Sequence, residues 1–371
     1  MVRLIFCIVF FLLLCGCATD EKGDICEEKD NPCDDNGDQS ATCSLTETHY
    51  VCACSEGFSF DGVSCKRLFP NARSRHAMAY DNNRLRLVMM GGGTGYSIYY
   101  GDTWEWEGNM NLWFSFAPGV APSERSRPAM VFDKKRGKAV LYGGGNASKK
   151  YMSDTWEWDG ANWAERTMSG GNPPARHAHA MAYDEANERT ILFGGIVCGS
   201  DDCTYYSDTW AWDGETWTHM ACNTPGSRDF HAMAYDSARG RIVLFGGRED
   251  GKYDRDETWE WTGSDWVSVS TGTTPAARRY HAMAFDSNRQ RTVLFGGANE
   301  DSDELNETWE WDGASWIKMN PDQSPLPRVG HAMVYDDTRK RVLLFGGYSD
   351  DTNTLLGDFW EWDGTNWAEI K

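Results

Sequence analysis

All eighteen tryptophans of this 371-residue chain fall into six copies of one pattern. Trp104/Trp106, Trp156/Trp158, Trp210/Trp212, Trp259/Trp261, Trp309/Trp311 and Trp360/Trp362 stand two apart, and Trp113, Trp163, Trp217, Trp266, Trp316 and Trp367 each follow a pair. In a strand, residues two apart share a face. Each Trp-x-Trp therefore lays two large rings side by side. An Asp-Gly follows four of the pairs (Asp159-Gly160, Asp213-Gly214, Asp312-Gly313, Asp363-Gly364) and signals a tight hairpin turn, with the third Trp on the return strand. Such an aromatic hairpin is not soluble alone, so each copy must stack on another.

The unit around each hairpin is about fifty residues long. Arg73, Arg125, Arg176, Arg228, Arg278 and Arg328 mark equivalent points. Three residues on comes His-Ala-Met at His76, His179, His231, His281 and His331, with Pro128 in the second copy. Fifteen residues beyond that lies a double glycine in every copy. In the fifth, His281–Asp286 alternates as a strand, Ser287–Gln290 turns, and Arg291–Phe295 is a β-branched and aromatic second strand. With the hairpin this makes four antiparallel strands per copy, the signature of propeller blades. The double glycine, the Trp-x-Trp-Asp and the last Trp resemble the kelch repeat over residues 72–371. The resemblance implies an all-β, six-bladed propeller whose first strands line a central channel. The copies are in phase, so the ring is expected to close by packing blade one on blade six, without a shared blade.

Upstream, Leu4–Leu14 is apolar, too short to span a bilayer, and shaped like the core of a signal peptide. It ends Leu14-Cys15-Gly16-Cys17, which resembles a bacterial lipobox. That implies cleavage of residues 1–16, lipidation of Cys17 and export to the outer membrane, on its surface or periplasmic side. Residues 17–25 read as an acidic linker. Cys26, Cys33, Cys43, Cys52, Cys54 and Cys65 follow, and six cysteines in an exported segment imply a disulfide framework. Residues 26–65 resemble an EGF-like module, whose pairing would be Cys26–Cys43, Cys33–Cys52 and Cys54–Cys65, joined to the propeller by a linker at 66–71. Calcium-binding members carry Asn or Asp where this chain has Leu45, so no cofactor is expected.

From Ala18 to Cys65, twelve acids against two lysines give −10 of a total charge of −20. That balance disfavours nucleic acid. The repeated histidines read as structural, because a residue needed by every blade belongs to the shared unit. The six repeated arginines open the innermost strands at the end carrying the variable loops. They either ring the channel mouth and take an acidic ligand, as kelch domains that grip acidic peptides do, or each pairs with a neighbouring blade's acid or carbonyls. The loops offer contact residues in Tyr96, Tyr99, Tyr100, Tyr205, Tyr206, Arg248, Tyr253 and Arg255, while Glu300, Asp301, Asp303, Asp350 and Asp351 make the last two acidic. Cys198 and Cys203 flank a lengthened third loop and are expected to bridge, leaving Cys222 over. The expected function is binding of a protein or glycan on the loop face; the rivals are a propeller enzyme acting on a sugar and a structural element of an envelope assembly.

Overall fold

A computed structural model of the chain describes residues 41–45, 50–54, 58–60 and 65–67, and 69–371 apart from 96–97, 149, 168–170, 200–201 and 302. The leader, Cys17, the acidic linker, Cys26, Cys33 and Tyr96 lie outside these residues. The described N-terminal part is two antiparallel strand pairs: Ala41–Leu45 with Tyr50–Cys54, and Phe58–Phe60 with Cys65–Arg67. The backbone register sets Cys43 opposite Cys52. The expected disulfide pairing of this segment rests on residues and side chains outside the described set.

From Asn71 onward the described residues build six four-stranded antiparallel sheets whose strands follow chain order, with a two-stranded hairpin between the second and third strands of blades three and four. Blade five is Ala282–Asp286, Arg291–Phe295, Thr308–Trp311 and Trp316–Lys318. Blade six lengthens its middle strands to Arg341–Ser349 and Thr354–Trp362. Among the described residues no blade borrows a strand from the other end of the chain. Second strands are covered on both faces, so they read as unbroken apolar runs: Val293, Leu294 and Phe295 have no exposure at all. The hairpin after each Trp-x-Trp spans four residues, more than the tight turn expected from Asp-Gly. Trp158 faces Trp163, and the Asp159 carboxylate accepts from the Ala161 and Asn162 amides at 2.9 and 2.8 Å.

The tryptophans stitch each blade to the one before it. Trp316 Nε1 donates to Thr258 Oγ1 at 2.8 Å, and Trp311 Nε1 to Glu260 Oε1 at 3.3 Å. Arg239 holds that glutamate at 2.6 Å and Asp236 at 2.7 Å. The rings themselves supply most of the adhesion: a Trp burying 150–250 Å² contributes roughly 4–6 kcal/mol of hydrophobic stabilisation at about 25 cal/mol per Å². Closure of blade six on blade one uses Tyr80 donating to Asp336 at 2.6 Å and the Asn111 amide donating to the Lys371 carbonyl at 2.7 Å.

Candidate functional site at the loop end of the channel

The six repeated arginines do not form a ligand-ready rim. Each is wholly buried. Arg125 binds both oxygens of Asp154 at 2.8 Å, the Gly143 carbonyl at 2.9 Å and the Ser123 carbonyl at 2.9 Å. Arg73, Arg176 and Arg328 clamp Asp102, Asp208 and Asp358 in the same way, and Arg228 and Arg278 use Glu257 and Glu307. The same acids accept from the first Trp of each pair, as Asp154 does from Trp156 at 2.7 Å. The anion that each guanidinium seeks is therefore built into its own blade. The double glycine lets the next blade's chain pass: a Cβ on Gly194 (φ +68°) would lie 2.5 Å from the Arg228 carbonyl.

Several loop residues are also occupied. Tyr100 and Tyr206 cover Arg73 and Arg176, their ring centres 4.4 and 4.0 Å from the guanidinium carbons. Arg248 is paired with Asp229 and Arg255 with Glu249. Tyr205 packs where Gly251 leaves room, so loops three and four brace each other. Tyr99 is half-buried, while Tyr253, 58 % exposed, stands free on the face. Cys198 and Cys203 form a disulfide across a two-stranded hairpin, and Cys222 is free, its thiol raised by burial.

The throat of the channel is built by a position the sequence reading passed over, two residues after each repeated arginine. Arg75, Arg127, Ala178, Phe230, Tyr280 and Gly330 occupy it, all at φ between 56° and 65°. This left-handed turn points each amide at the neighbouring blade. Arg127 donates to Arg75, Ala178 to Arg127, Phe230 to Ala178, Tyr280 to Phe230, Gly330 to Tyr280 and Arg75 to Gly330, at 2.6–3.2 Å, closing a ring of six hydrogen bonds around the axis. For a non-glycine residue the conformation costs about 1–2 kcal/mol, and the closed ring holds it there. A cavity of about 100 Å³ sits within the ring.

Its walls are unequal. Phe230 and Tyr280 pack tilted with centroids 4.0 Å apart. Arg75 and Arg127 also line the cavity, and Arg248 covers Phe230 from 5.5 Å. Arg75 donates to the Gly95 carbonyl at 3.1 Å, and Arg127 lies over Phe230 at 5.1 Å with its buried Nε unpartnered. Burial, then the charge of Arg75, lowers the pKa of Arg127. Below the ring, the five repeated histidines contribute buried nitrogens without a hydrogen-bond partner. The carbonyl that ends the preceding blade's second strand, Phe245 for His281, is the nearby acceptor. Burial, then Arg278, pulls His281 down to about 3; burial, then Arg127, does the same to His177. These imidazoles are neutral near pH 7 and bring no charge to the throat. The sequence signal for this site was variability: between an unvarying Arg and a near-unvarying His, the throat position changes chemistry from blade to blade.

The profile of the KLHDC2/KLHL20/DRC7 Kelch-repeats domain matches residues 36–223 and 257–371. The chain is 27 % identical over 235 residues to an F-box/kelch-repeat protein of Arabidopsis thaliana, covering 54 % of this chain and 47 % of that protein. It is 25 % identical over 199 residues to Mei4-dependent protein 6 of Schizosaccharomyces pombe (47 % and 28 % covered). It is 33 % identical over 96 residues to Dynein regulatory complex subunit 7 of Chlamydomonas reinhardtii (25 % and 8 % covered). The chain thus spans less than half the length of each of these relatives. Among solved structures, that of YjhT superposes with a TM-score of 0.64 at 13 % identity, over 81 % of this chain and 98 % of that one, a likeness of fold.

Proposed function

Because the chain belongs to the KLHDC2/KLHL20/DRC7 Kelch-repeats domain family, we propose that it is an interaction protein that holds a protein or glycan against the loop end of its propeller. In its finer form the proposal includes export, lipidation at Cys17 and an EGF-like spacer at 26–65 between membrane and propeller. One observation carries the binding reading. Repeat positions are spent on internal pairing, while the throat and the loops around it break the repeat, lining the cavity with Arg75, Arg127, Phe230 and Tyr280 and leaving Tyr253 exposed on the face. An enzyme acting on a sugar is less well supported. Asp229, the acid beside the throat arginines, is tied to Arg248 at 3.0 Å, and the neutral histidines have no carboxylate to orient them.

The test uses the Cys17→Ser chain against arrays of purified envelope proteins and of glycans. Capture should fall when Tyr253→Ala is combined with Phe230→Ala and persist with Ile317→Ala on an outer strand. Capture that ignores the loop end rules the proposal out. Labelled palmitate uptake by the wild type, lost in Cys17→Ser, checks the anchor separately.

A further inference from the structure

The channel has a second end, away from the loops, where the first strands enclose a well of about 210 Å³. One methionine from each blade, Met78 to Met333, lines its inner part. Six aromatic rings follow toward the mouth: Tyr80, Phe132, Tyr183, Tyr235, Phe285 and Tyr335. Both tiers repeat in every blade and serve packing first. The mouth does not repeat. Two residues after each ring stand Asn82, Lys134, Glu185, Ser237, Ser287 and Asp337, an amide, an ammonium, two hydroxyls and two carboxylates at one position.

Charge at this mouth is unbalanced. Lys134 is the one cationic side chain among the described residues that line the well, and it is spent on Glu185 at 2.6 Å. Asp337 has only neutral donors: Ser287 Oγ donates to one oxygen at 2.7 Å and the Asn82 amide to the other. Carboxylates also lie near the rings. Burial first, and then Asp336 for Tyr80, Asp133 for Tyr183 and Asp286 for Tyr335, raise those phenols. Arg136 and Arg289 balance Asp133 and Asp286, whereas Asp336 and Asp337 have no ion pair among the described residues. Each oxygen of Asp337 keeps a lone pair beyond its present bond. An anion would meet that charge with only a paired lysine to offset it. A cation is attracted both by the rings and by the carboxylate.

We propose that this well binds a small organic cation, a quaternary ammonium seated among the aromatic rings and drawn in by Asp337. The site lies at the end of the channel opposite the loops and stands apart from the binding reading above.

The experiment titrates the full chain calorimetrically with choline and with 3,3-dimethyl-1-butanol, which has the same shape with carbon in place of the charged nitrogen. Choline should saturate, and its neutral twin should bind at least about tenfold more weakly. Asp337→Asn keeps the size of the side chain and removes its charge; it should weaken choline about tenfold. Asp351→Asn, which removes an exposed acid at the loop end, should leave choline binding unchanged. Lys134→Gln frees Glu185 and should tighten choline, a gain that a damaged fold cannot produce. The proposal is overturned if the neutral twin binds as tightly as choline, which would make the well merely apolar. It is equally overturned if choline does not saturate, or if either Asp337→Asn or Lys134→Gln binds choline like wild type. Capture at the loop end is decided by its own arrays, so either site can fail without the other.

Discussion

Arg125 and Arg127 are two residues apart in one blade, and they show the two ways this chain uses a charge. Arg125 is sealed from solvent, with a carboxylate and two backbone carbonyls around it. Arg127 has an aromatic ring, a second arginine and an unpartnered nitrogen. The first sits at a position that never varies among the blades, the second at one that does. Pairing that a blade must form to fold is written into every copy. Arg127, with no ion pair among the described residues, is written at a position whose chemistry changes from blade to blade.

The largest way to stress the repeated shell is acid. Burial, then Arg73, lowers His76 to about 3, and burial with a neighbouring arginine lowers His177 and His281 to about 3, with His179, His231 and His331 also well below the usual value. Above about pH 6.5 both folded and unfolded imidazoles are neutral and stability is full. Below it the unfolded chain takes protons that the folded one refuses, so each histidine costs about 1.4 kcal/mol per pH unit, for His76, His177 and His281 down to about pH 3. The propeller should melt steeply lower between pH 6.5 and 4.5. Glu307, which burial pushes up but Lys318 and Arg278 outweigh, is held near 2, so its contribution disappears only at far lower pH. A melting temperature that is flat from pH 7 to 5 would show that the histidine ring is not sealed.

Next comes the comparison itself. Arg125→Ala leaves Asp154 and the Gly143 carbonyl without their partner and should cost about 3–5 kcal/mol, read from the denaturation midpoint. Arg127→Gln should move the midpoint the other way. The same logic applies to Arg228 and Arg278: reversing their charge should unfold the blades, whatever it does to a ligand. A cost below about 1 kcal/mol for Arg125→Ala would erase the distinction between shell and throat.

Much of the shell was legible in the sequence. Copy length, strand order and the in-phase closure follow from the unvarying spacing of Arg, Gly-Gly and Trp-x-Trp. The role of the arginines was open, yet its answer was present too: every copy has Asp or Glu two residues before its first Trp, Asp102 to Asp358, the partner the structure reveals. The throat was not legible. Residues 75, 127, 230 and 280 meet only because six left-handed turns converge on an axis, and no spacing within one copy encodes that. Departures from the repeat were similarly readable as letters but not as contacts. Phe359 replaces the usual Thr and packs edge-on against Trp106 at 4.8 Å across the closure.

A smaller test concerns the junction of blades three and four. There Ala211 and Asn187 stand where Glu260 and Arg239 stand one blade later, and Trp261 Nε1 is buried without an acceptor. Ala211→Glu combined with Asn187→Arg should rebuild the Arg–Glu–Trp relay and stabilise by about 1–2 kcal/mol. Ala211→Glu alone should destabilise, because the new carboxylate would be buried unpaired. A double variant no more stable than wild type would mean that the relay elsewhere sets interface geometry without adding stability.

The smallest effect is expected outside the blades, where the last two loops meet. Glu304 Oε2 accepts the Asp350 amide at 2.8 Å, while its Oε1 is buried and unpartnered. Burial is the main force raising this carboxyl to about 7; Asp350 and Asp351 add to it, and the Asp350 amide and Arg328 oppose it. Between the unfolded value near 4.5 and about 7, the folded loop keeps a proton that the unfolded chain releases. Its contribution is therefore complete at pH 4.5 and lost as pH rises through 7, the reverse of the histidine shell. Glu304→Gln fixes the neutral form and preserves the acceptor for the Asp350 amide. It should raise the melting temperature slightly at pH 8 and leave it unchanged at pH 5. An equal shift at both pH values would mean that Glu304 is charged throughout, its environment no different from that of the exposed acids around it.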